Sequence, residues 1–237
     1  PGTNGRGSSI RALMEIAKRL EADLLILAAD VKSQGKRGFS SDWVPRILAP
    51  LNYGYDCVLT TFVRNPAEDV TISFLVKPLI ELFYNFRLDS SISGIYAFSH
   101  DVVEDLCLEI KFWLKETRGY GIDPWLLTRI IRWNKRICQV SLGSKLDQSS
   151  MDKVNYVFKE MARAIFECIK RDEEYWLNRK MIVRAPDLFG GPYEDMPGDQ
   201  IYCTREMVTL FKRSFHQYRS VFENTIKPSL FSDVERI

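Results

Sequence analysis

An uninterrupted apolar run at residues 24–29 constrains the fold more than any other feature of the sequence. It reads Leu-Leu-Ile-Leu-Ala-Ala and is followed by Asp30. A strand with one face in water alternates apolar and polar residues, whereas a run without alternation predicts a strand buried on both faces. Such strands belong to sheets that helices cover, so the run predicts an α/β fold.

Strand-like and helix-like segments alternate along the chain up to about residue 145. This order predicts a mostly parallel sheet within residues 1–148, followed by a helical C-terminal extension over residues 149–237. Further strands are predicted at residues 57–63, 94–98 and 137–142, and residues 184–200 are predicted to form a loop. Helices are predicted at residues 10–21, 43–48, 71–86, 100–114, 123–133, 151–179 and 204–224. Ser8 or Ser9 would cap the first of these helices.

Charge and cysteine usage exclude several classes of protein. The 33 basic and 31 acidic residues nearly cancel, so the charge gives no sign of binding to nucleic acid or an anionic membrane. No apolar run approaches the roughly 18–20 residues that a membrane span needs. The five cysteines are scattered and only two histidines exist, which predicts free buried thiols in a reducing compartment and no structural zinc site.

The N-terminus shows no leader-like pattern, because the chain begins at Pro1 without a basic and apolar segment. We therefore expect a fragment or a processed chain that resides in the cytoplasm.

Asp30 is the first candidate for a functional residue. Ligands of open α/β sheets bind at the carboxyl ends of strands, which is where Asp30 follows the apolar run. A carboxylate beside a glycine-containing loop suits a divalent cation on a phosphate-bearing ligand. The alternative is an aspartate that only caps or turns the chain.

The N-terminal segment Gly5-Arg6-Gly7 is the second candidate. Glycines let the backbone approach a ligand, a helix N-terminus favours phosphate, and Arg6 adds a cation. The segment precedes a helix and then the strand ending at Asp30, and this order favours phosphate binding. A flexible terminus is the alternative.

The third candidate is Gly119-Tyr120-Gly121-Ile122-Asp123. Its two glycines would permit an unusual backbone path, and Asp123 would serve as an acceptor-binding group or a weak base. The alternative is helix capping, since Asp123 and Pro124 look like the Ncap and N1 residues of a helix. Asp147, after the last predicted strand, is a further carboxylate at the same edge of the sheet.

These features together resemble the nucleotide-sugar-binding domain of GT-A glycosyltransferases, nearest to the glucosyl-3-phosphoglycerate synthases and mannosylglycerate synthase-like families. Gly5-Arg6-Gly7, a helix and a strand ending at Asp30 match the second half of such a domain. The resemblance covers residues 1 to about 148. The other segments that carry it, in the order of the family, are Val63-Arg64-Asn65-Pro66, Val70-Thr71, Lys77-Pro78-Leu79, Ser93-Gly94-Ile95-Tyr96-Ala97, the Gly119–Asp123 segment, and Gln139-Val140-Ser141-Leu142-Gly143.

The resemblance implies a metal-dependent enzyme that moves a sugar from a nucleotide-diphosphate sugar to a small polar acceptor, with retention at the anomeric carbon. Mg²⁺ or Mn²⁺ would bridge the diphosphate. The implied metal ligands are Asp30 and Asp147. Asp123 takes the position of a Glu that lies near the acceptor in the family and is the predicted catalytic residue. The donor would contact Gly5, Arg6, Gly7 and Asp30, and the acceptor or the sugar would contact Arg64, Thr71, Gly94 and Tyr96.

Several positions depart from the family's pattern. Ala28 stands where the family has the first Asp of its Asp-x-Asp motif, Asp69 replaces an acceptor-binding Arg, and Ile95 replaces a Glu. Asp147 stands in place of a metal-binding His, which is a reasonable exchange for a hard cation. A catalytically degenerate nucleotide-sugar-binding or regulatory protein is therefore the alternative, while a nucleotidyltransferase would need a fuller glycine-rich loop.

Two expectations concern the ends of the chain. A complete GT-A domain would carry roughly 80–100 further residues before Pro1, which hold the nucleotide base. The C-terminal aromatic residues have helical spacing and would form a packing face, with a homodimer as one use of it. These residues are Phe211, Phe215, Tyr218 and Phe222.

Overall fold

The structure is a computed structural model that describes residues 5–28, 32–33, 39–63, 70–88, 93–109, 113, 115–146, 151–179, 182–190 and 204–236. The chain divides into two compact units, Pro1–Met196 and Pro197–Ile237. The predicted boundary near residue 148, between a glycosyltransferase portion and a helical extension, stays a prediction.

The first unit is built on a sheet of six described strands in the order β1-β4-β3-β5-β2, with β6 also paired to β5. The strands are β1 (Leu24–Ile26), β2 (Lys32–Ser33), β3 (Cys57–Val63), β4 (Tyr96–Phe98), β5 (Ile137–Leu146) and β6 (Asp187–Phe189). The bounds of β3 are those that the sequence predicts, whereas β6 lies in a segment predicted as a loop.

The α/β class is confirmed, but the prediction of a mostly parallel sheet was wrong. β5 runs parallel to β3 and to β6, while the β1–β4, β3–β4 and β2–β5 pairs are antiparallel. Alternating strands and helices predict parallel pairing only when each helix returns the chain directly to the start of the next strand. Here residues 85–95 separate the preceding helix from β4, so the chain can enter β4 from the other end of the sheet.

The helices of the first unit agree with the predicted segments. They are α1 (Arg6–Arg19), α2 (Trp43–Asn52), α3 (Lys77–Tyr84), α4 (His100–Glu109), α5 (Ile122–Arg132), α6 (Met151–Arg171) and α7 (Glu173–Asn178). Of these, α2, α4 and α6 begin at the predicted residues, and the other bounds differ. A π-helical segment, Ile72–Val76, precedes α3, and a 3₁₀ helix, Lys115–Arg118, precedes α5. Gly5 is the N-cap of α1, so the predicted cap at Ser8 or Ser9 was wrong and Arg6 lies in the first helical turn.

Two apolar clusters bury the sheet on both faces. One contains side chains from α1, α3, α4, α5 and α6, and the other contains Trp43 and Ile47 from α2. Successive strand residues point to opposite faces, so Leu24 and Ile26 join the first cluster while Leu25 packs against the second. The burial on both faces that the apolar run predicts is therefore present.

The second unit consists of α8 (Thr204–Gln217), α9 (Arg219–Thr225) and α10 (Pro228–Glu235). Phe215 is only 6% exposed and lies at its centre. The ring of Phe215 is 5.9 Å from that of Phe211, 5.2 Å from Phe222 and 5.5 Å from Phe231. The predicted aromatic face therefore packs within its own unit, and the predicted homodimer stays a prediction.

Two further predictions concern the environment of the protein. Cys57, Cys107, Cys138 and Cys168 are free thiols, as the scattered cysteines predict, and Cys203 lies outside the described residues. Burial raises the pKa of Cys138 to about 12. Among the helices that the structure describes, none has both the length and the apolar character to cross a membrane.

Candidate active site

Arg6, in the first turn of α1, links two distant parts of the chain. Its Nε and Nη2 atoms each lie 3.3 Å from Oδ1 of Asp123. Nη2 also donates a hydrogen bond to the carbonyl oxygen of Gly94 at 2.6 Å. The guanidinium therefore joins α1, the start of α5 and the segment before β4, and these contain residues that the sequence assigns to the donor and to the acceptor.

Asp123 lies in the first turn of α5, but it does not cap that helix. The N-cap is Gly121, and no side chain caps it. The carboxylate instead accepts a hydrogen bond from the hydroxyl of Tyr96 at 2.9 Å, in addition to those from Arg6. The predicted capping role was therefore wrong, and a role of Asp123 in binding or catalysis stays a prediction.

The two oxygens of the Asp123 carboxylate differ in their surroundings. Among the residues that the structure describes, every hydrogen bond to this side chain ends on Oδ1. The side chain is 7% exposed and that of Arg6 is 18% exposed. Both side chains are therefore largely enclosed by protein.

Tyr96, in β4, serves the site as a hydrogen-bond donor. Burial raises the pKa of its phenol well above its usual value, and the neighbouring Asp123 carboxylate raises it further. The phenol therefore keeps its proton at physiological pH, and that proton lies in the hydrogen bond to Asp123.

Gly94 is required by the position of Arg6. Its φ angle is +77°, in a region that favours glycine, and a Cβ atom there would lie 2.7 Å from Nη2 of Arg6. The neighbouring residues are tied to β3: the hydroxyl of Thr60 donates to the carbonyl of Ile95 at 3.1 Å, and the amide of Ile95 donates to Oγ of Ser93 at 3.1 Å. This backbone holds the Gly94 carbonyl toward Arg6.

Gly5 and Gly7 have a packing reason to be glycine. A Cβ atom at Gly5 would overlap the carbonyl oxygen of Arg118, and one at Gly7 would overlap that of Thr117. The start of α1 therefore lies directly against the 3₁₀ helix that leads to α5. Contact of these glycines with donor phosphates stays a prediction.

The prediction that Gly119 and Gly121 permit an unusual backbone path was wrong. Gly121 has ordinary helical angles, φ −62° and ψ −9°, and neither glycine has a positive φ. Gly119 is needed for a different reason, because a Cβ atom there would lie 2.5 Å from Oε1 of Glu160. Close approach of a side chain from α6, rather than backbone freedom, accounts for this glycine.

Three of the predicted site residues, Asp30, Arg64 and Asp147, lie outside the described residues. Thr71 is buried at the residue before the π-helical segment and stays a predicted acceptor-pocket residue. Within the described ranges, no three His, Cys, Asp or Glu residues come together as a metal site.

The backbone nevertheless joins the two segments that contain the predicted metal ligands. β2 pairs with the end of β5, with Lys32 opposite Leu146 and Ser33 opposite Lys145. Asp30 comes two residues before Lys32 in the sequence, and Asp147 comes one residue after Leu146. Asp30 and Asp147 themselves lie outside the described residues, so their role as metal ligands stays a prediction.

A second buried carboxylate, Asp172, was not singled out by the sequence. It accepts hydrogen bonds from Tyr84 in α3 and from Arg129 and Arg132 in α5. In the sequence it lies within a long charge-rich helical pattern, where nothing distinguishes a buried aspartate from a solvated one. The break between α6 and α7 at this residue is the structural sign of its special position.

No protein-family model matches the chain, and no curated protein matches it either. Solved structures do match. The glucosyl-3-phosphoglycerate synthase of Mycobacterium tuberculosis, in complex with Mn²⁺ and uridine-diphosphate-glucose, superposes with a TM-score of 0.54 at 16% identity, over 72% of this chain and 56% of that one. The same enzyme in complex with phosphoglyceric acid also gives a TM-score of 0.54 at 16% identity, over 72% of this chain and 57% of that one.

The likeness to these structures confirms the predicted GT-A fold class. The resemblance to the glucosyl-3-phosphoglycerate synthases therefore holds at the level of the fold. This chain spans less than two thirds of the length of the structures that it matches.

Proposed function

We propose that the chain is part of a metal-dependent glycosyltransferase that moves a sugar from a nucleotide-diphosphate sugar to a small polar acceptor. The observation that carries the proposal is the cluster of Arg6, Gly94, Tyr96 and Asp123. The sequence assigned these residues separately to the donor, to the acceptor and to catalysis, on a fold that the solved transferases share. Their contacts support one site in which the two substrates meet.

Asp123 binds a hydroxyl group of the acceptor or of the transferred sugar. Its Oδ1 atom is held by Arg6 and Tyr96, so the carboxylate is fixed before a ligand arrives. Oδ2 then accepts a hydrogen bond from the substrate hydroxyl. A carboxylate that is already paired with a guanidinium is a good hydrogen-bond acceptor and a weak base, so we assign Asp123 to substrate orientation.

The reaction exchanges one bond for another at the anomeric carbon. The acceptor oxygen bonds to that carbon while the bond to the diphosphate oxygen breaks, and its electron pair leaves on the nucleoside diphosphate. The acceptor's proton passes to the leaving diphosphate or to solvent. Retention at the anomeric carbon is part of the proposal.

Gly5, Arg6 and Gly7, at the N-terminus of α1, would face the charge on the diphosphate, as helix N-termini favour anions.

We assign the divalent ion to Asp30 and Asp147, supported by the β2–β5 pairing beside them. Mg²⁺ or Mn²⁺ bound there would stabilise the negative charge of the diphosphate. The solved transferase structures contain Mn²⁺ with uridine-diphosphate-glucose or, in another complex, Mg²⁺ with uridine diphosphate.

The acceptor is proposed to be glycerate-like or another sugar. Asp69 replaces a cationic acceptor-binding residue, so a strongly anionic acceptor such as a phosphorylated acid is disfavoured.

A location in the cytoplasm and a homodimer through the C-terminal helices are also predictions. Size-exclusion chromatography with light scattering tests the dimer, which would have twice the chain mass of 27.5 kDa.

One observation favours the alternative of a nucleotide-sugar-binding protein without catalysis. Ala28, at the position of the family's first Asp, is buried and belongs to the apolar cluster around Trp43 and Val58. An acidic residue would not fit that environment, so the ion would have one carboxylate fewer than in the family's pattern. The alternative predicts nucleotide-sugar binding that does not require metal.

Thermal unfolding of the chain in the presence of UDP-, GDP- and ADP-sugars, with Mn²⁺ or with EDTA, tests the proposal. A ligand that binds the folded state at about 100 times its Kd adds about 2.7 kcal/mol, which raises the midpoint by several degrees. We expect a rise with one nucleotide sugar and Mn²⁺ that EDTA abolishes. Asp30→Ala should abolish the rise, whereas Asp101→Ala, at an exposed aspartate in α4, should not.

A rise that persists in EDTA and in Asp30→Ala would contradict the metal-dependent transferase and support the binding protein. The absence of a rise with every nucleotide sugar would contradict donor binding by this chain.

A further inference from the structure

Glu160, in the middle of α6, makes a contact outside its own helix. Its Oε2 atom accepts a hydrogen bond from the backbone amide of Tyr120 at 2.7 Å. Tyr120 lies in the turn between the 3₁₀ helix and α5, three residues before Asp123. A hydrogen bond of this kind, from an amide to a carboxylate, is stronger than one between neutral groups.

The carboxylate of Glu160 lies close against the backbone of that turn. A Cβ atom at Gly119 would lie 2.5 Å from Oε1 and 2.6 Å from Cδ of Glu160. Both values are below any ordinary van der Waals separation, so no other residue fits at position 119 while Glu160 keeps its place. On the other side of Glu160, Tyr156 donates a hydrogen bond to the carboxylate, and this bond raises the pKa of Tyr156.

Tyr120 connects Glu160 to Asp123 through two hydrogen bonds of its own backbone. The amide of Tyr120 donates to Glu160, while the carbonyl of Tyr120 accepts a hydrogen bond from the amide of Asp123 at 3.2 Å. The opposite side of the turn lies against the start of α1, where Gly5 and Gly7 allow contact with Arg118 and Thr117. The turn is therefore held between α1, which contains Arg6, and α6, which contains Glu160.

We infer that Glu160 is a positioning residue for Asp123: it fixes the Gly119–Tyr120 backbone from which α5 begins, and with it the carboxylate that binds substrate. The role of Asp123 in this inference rests on the proposed function. The contact of Glu160 with the turn stands independently of it. A site that must hold its groups within a fraction of an ångström needs such support behind its ligand-binding residues.

The first test is site-resolved amide hydrogen exchange by NMR on the folded chain. Glu160→Ala should raise the exchange rate of the Tyr120 amide at least tenfold, and that of the Asp123 amide as well, because both bonds belong to one path. Glu160→Gln should restore most of the protection, since its amide oxygen can still accept from Tyr120. Glu167→Ala is the control, because Glu167 is a half-buried glutamate two turns further along the same face of α6.

Faster exchange at Tyr120 with an unchanged rate at Asp123 would overturn the inference, because Glu160 would then support only the turn. Unchanged exchange at both amides would overturn it as well.

The second test uses the lack of space at Gly119. Gly119→Ala alone should displace the Glu160 carboxylate and increase exchange at Tyr120 and Asp123. In the double variant Gly119→Ala with Glu160→Ala, the Cβ atom at position 119 no longer meets the carboxylate and α6 keeps a good helix former, so the melting temperature should be higher than in Gly119→Ala alone. A double variant that is no more stable than Gly119→Ala would contradict the close approach.

Turnover gives the third readout. In a chain that transfers sugar, Glu160→Ala should lower kcat/KM at least tenfold at a temperature where the variant is fully folded, and Glu160→Gln should lower it by less than threefold. A purely structural role would lower the melting temperature and leave kcat/KM of the folded variant unchanged, which would overturn the inference. If the full-length wild-type protein shows no turnover, the proposed function fails, while the exchange measurements still decide the role of Glu160.

Discussion

Asp123 and Asp172 are two buried carboxylates with the same kinds of partner, but they differ in how many of their oxygens accept hydrogen bonds. Each accepts hydrogen bonds from a tyrosine hydroxyl and from arginine. At Asp172 both oxygens are occupied: Oδ1 by Arg132 at 3.0 Å, and Oδ2 by Arg129 and by Tyr84, the latter at 2.8 Å. At Asp123 the hydrogen bonds within the described part of the chain all end on Oδ1.

The carboxylate with both oxygens bonded is also the more buried of the two. The side chain of Asp172 is 0% exposed, whereas that of Asp123 is 7% exposed beside an arginine that is 18% exposed. Burial lowers the pKa of the Arg129 guanidinium, but the charge of Asp172, the neighbouring groups Cys168 and Tyr84 and the hydrogen bond to Asp172 together outweigh burial, and the pKa is raised. Asp172 is thus a contact between α3, α5 and α6 in which both oxygens are bonded, whereas the described hydrogen bonds of Asp123 use one oxygen, which is consistent with the proposed binding of substrate by the other.

The largest expected effect is on stability at Asp172. Asp172→Ala leaves the charge of Arg129 buried without its partner, and breaking a buried pair in this way costs about 3–5 kcal/mol. Urea unfolding of the chain should show a loss of this size. A loss below about 1 kcal/mol would mean that Asp172 is not the contact that holds α5 to α6.

The second effect is on activity at Asp123. Asp123→Asn keeps the shape of the side chain but removes the charge that pairs with Arg6. A hydrogen bond to a charged group contributes about 1.5–3 kcal/mol, so kcat/KM should fall about 10- to 100-fold. Steady-state kinetics of sugar transfer measure the change. Equal kcat/KM in Asp123→Asn and wild type would show that the carboxylate does not bind the substrate.

A third prediction separates strain at the site from strain elsewhere. Gly94→Ala introduces a Cβ atom at a φ of +77°, and Gly54→Ala does the same at +79°. Each also meets an arginine side chain, Arg6 or Arg136, so both variants should lose about 1–2 kcal/mol of stability. Only Gly94→Ala displaces Arg6 from Asp123, so only this variant should lose activity. If Gly54→Ala loses as much activity, the loss reflects general strain.

The smallest expected effect is one that the two sites share. Burial raises the pKa values of both Tyr84 and Tyr96 above that of a free phenol, so the folded state keeps protons that the unfolded state loses. Stability is therefore intact below pH 10 and falls as the pH rises above the pKa of the unfolded phenol.

Each tyrosine should contribute a loss of about 0.8 kcal/mol at pH 10.5, and Tyr84→Phe and Tyr96→Phe should each remove that share. Melting temperatures between pH 8 and pH 10.5 measure this. A steeper fall in either variant than in wild type would contradict the assignment. The buried thiols contribute to the fall in all variants alike, so the comparison isolates the phenols.

The sequence predicts the fold better than it predicts the contacts of the site. The β-like run at residues 57–63 became β3 with the same bounds, because its β-branched and apolar residues suit a strand that is covered on both faces. The antiparallel direction of β4 was not predictable, since it depends on the path of the connecting segment rather than on the strand's own residues.

The site itself was predicted residue by residue but not as a network. Asp123 and Arg6 are 117 positions apart in the sequence, and no local pattern indicates that they pair. Glu160 and Asp172 lie in a helical segment rich in charges, where a buried carboxylate and a solvated one have the same sequence signature. Their roles become visible only when the folded chain brings Tyr120 and Arg129 beside them.

Release of nucleoside diphosphate from UDP-, GDP- and ADP-sugars is the most direct test of the central claim. It should be measured with Mn²⁺ and a panel of small polyols, hydroxy acids and sugars, in wild type, Asp123→Asn and Asp172→Asn. We predict acceptor-dependent release that EDTA abolishes. Asp123→Asn should reduce it at least tenfold, and Asp172→Asn should leave it near wild type at temperatures where that variant is folded. Release that is independent of acceptor and metal, or equal losses in the two variants, would contradict the assignment of Asp123 as the substrate-binding carboxylate of a glycosyltransferase.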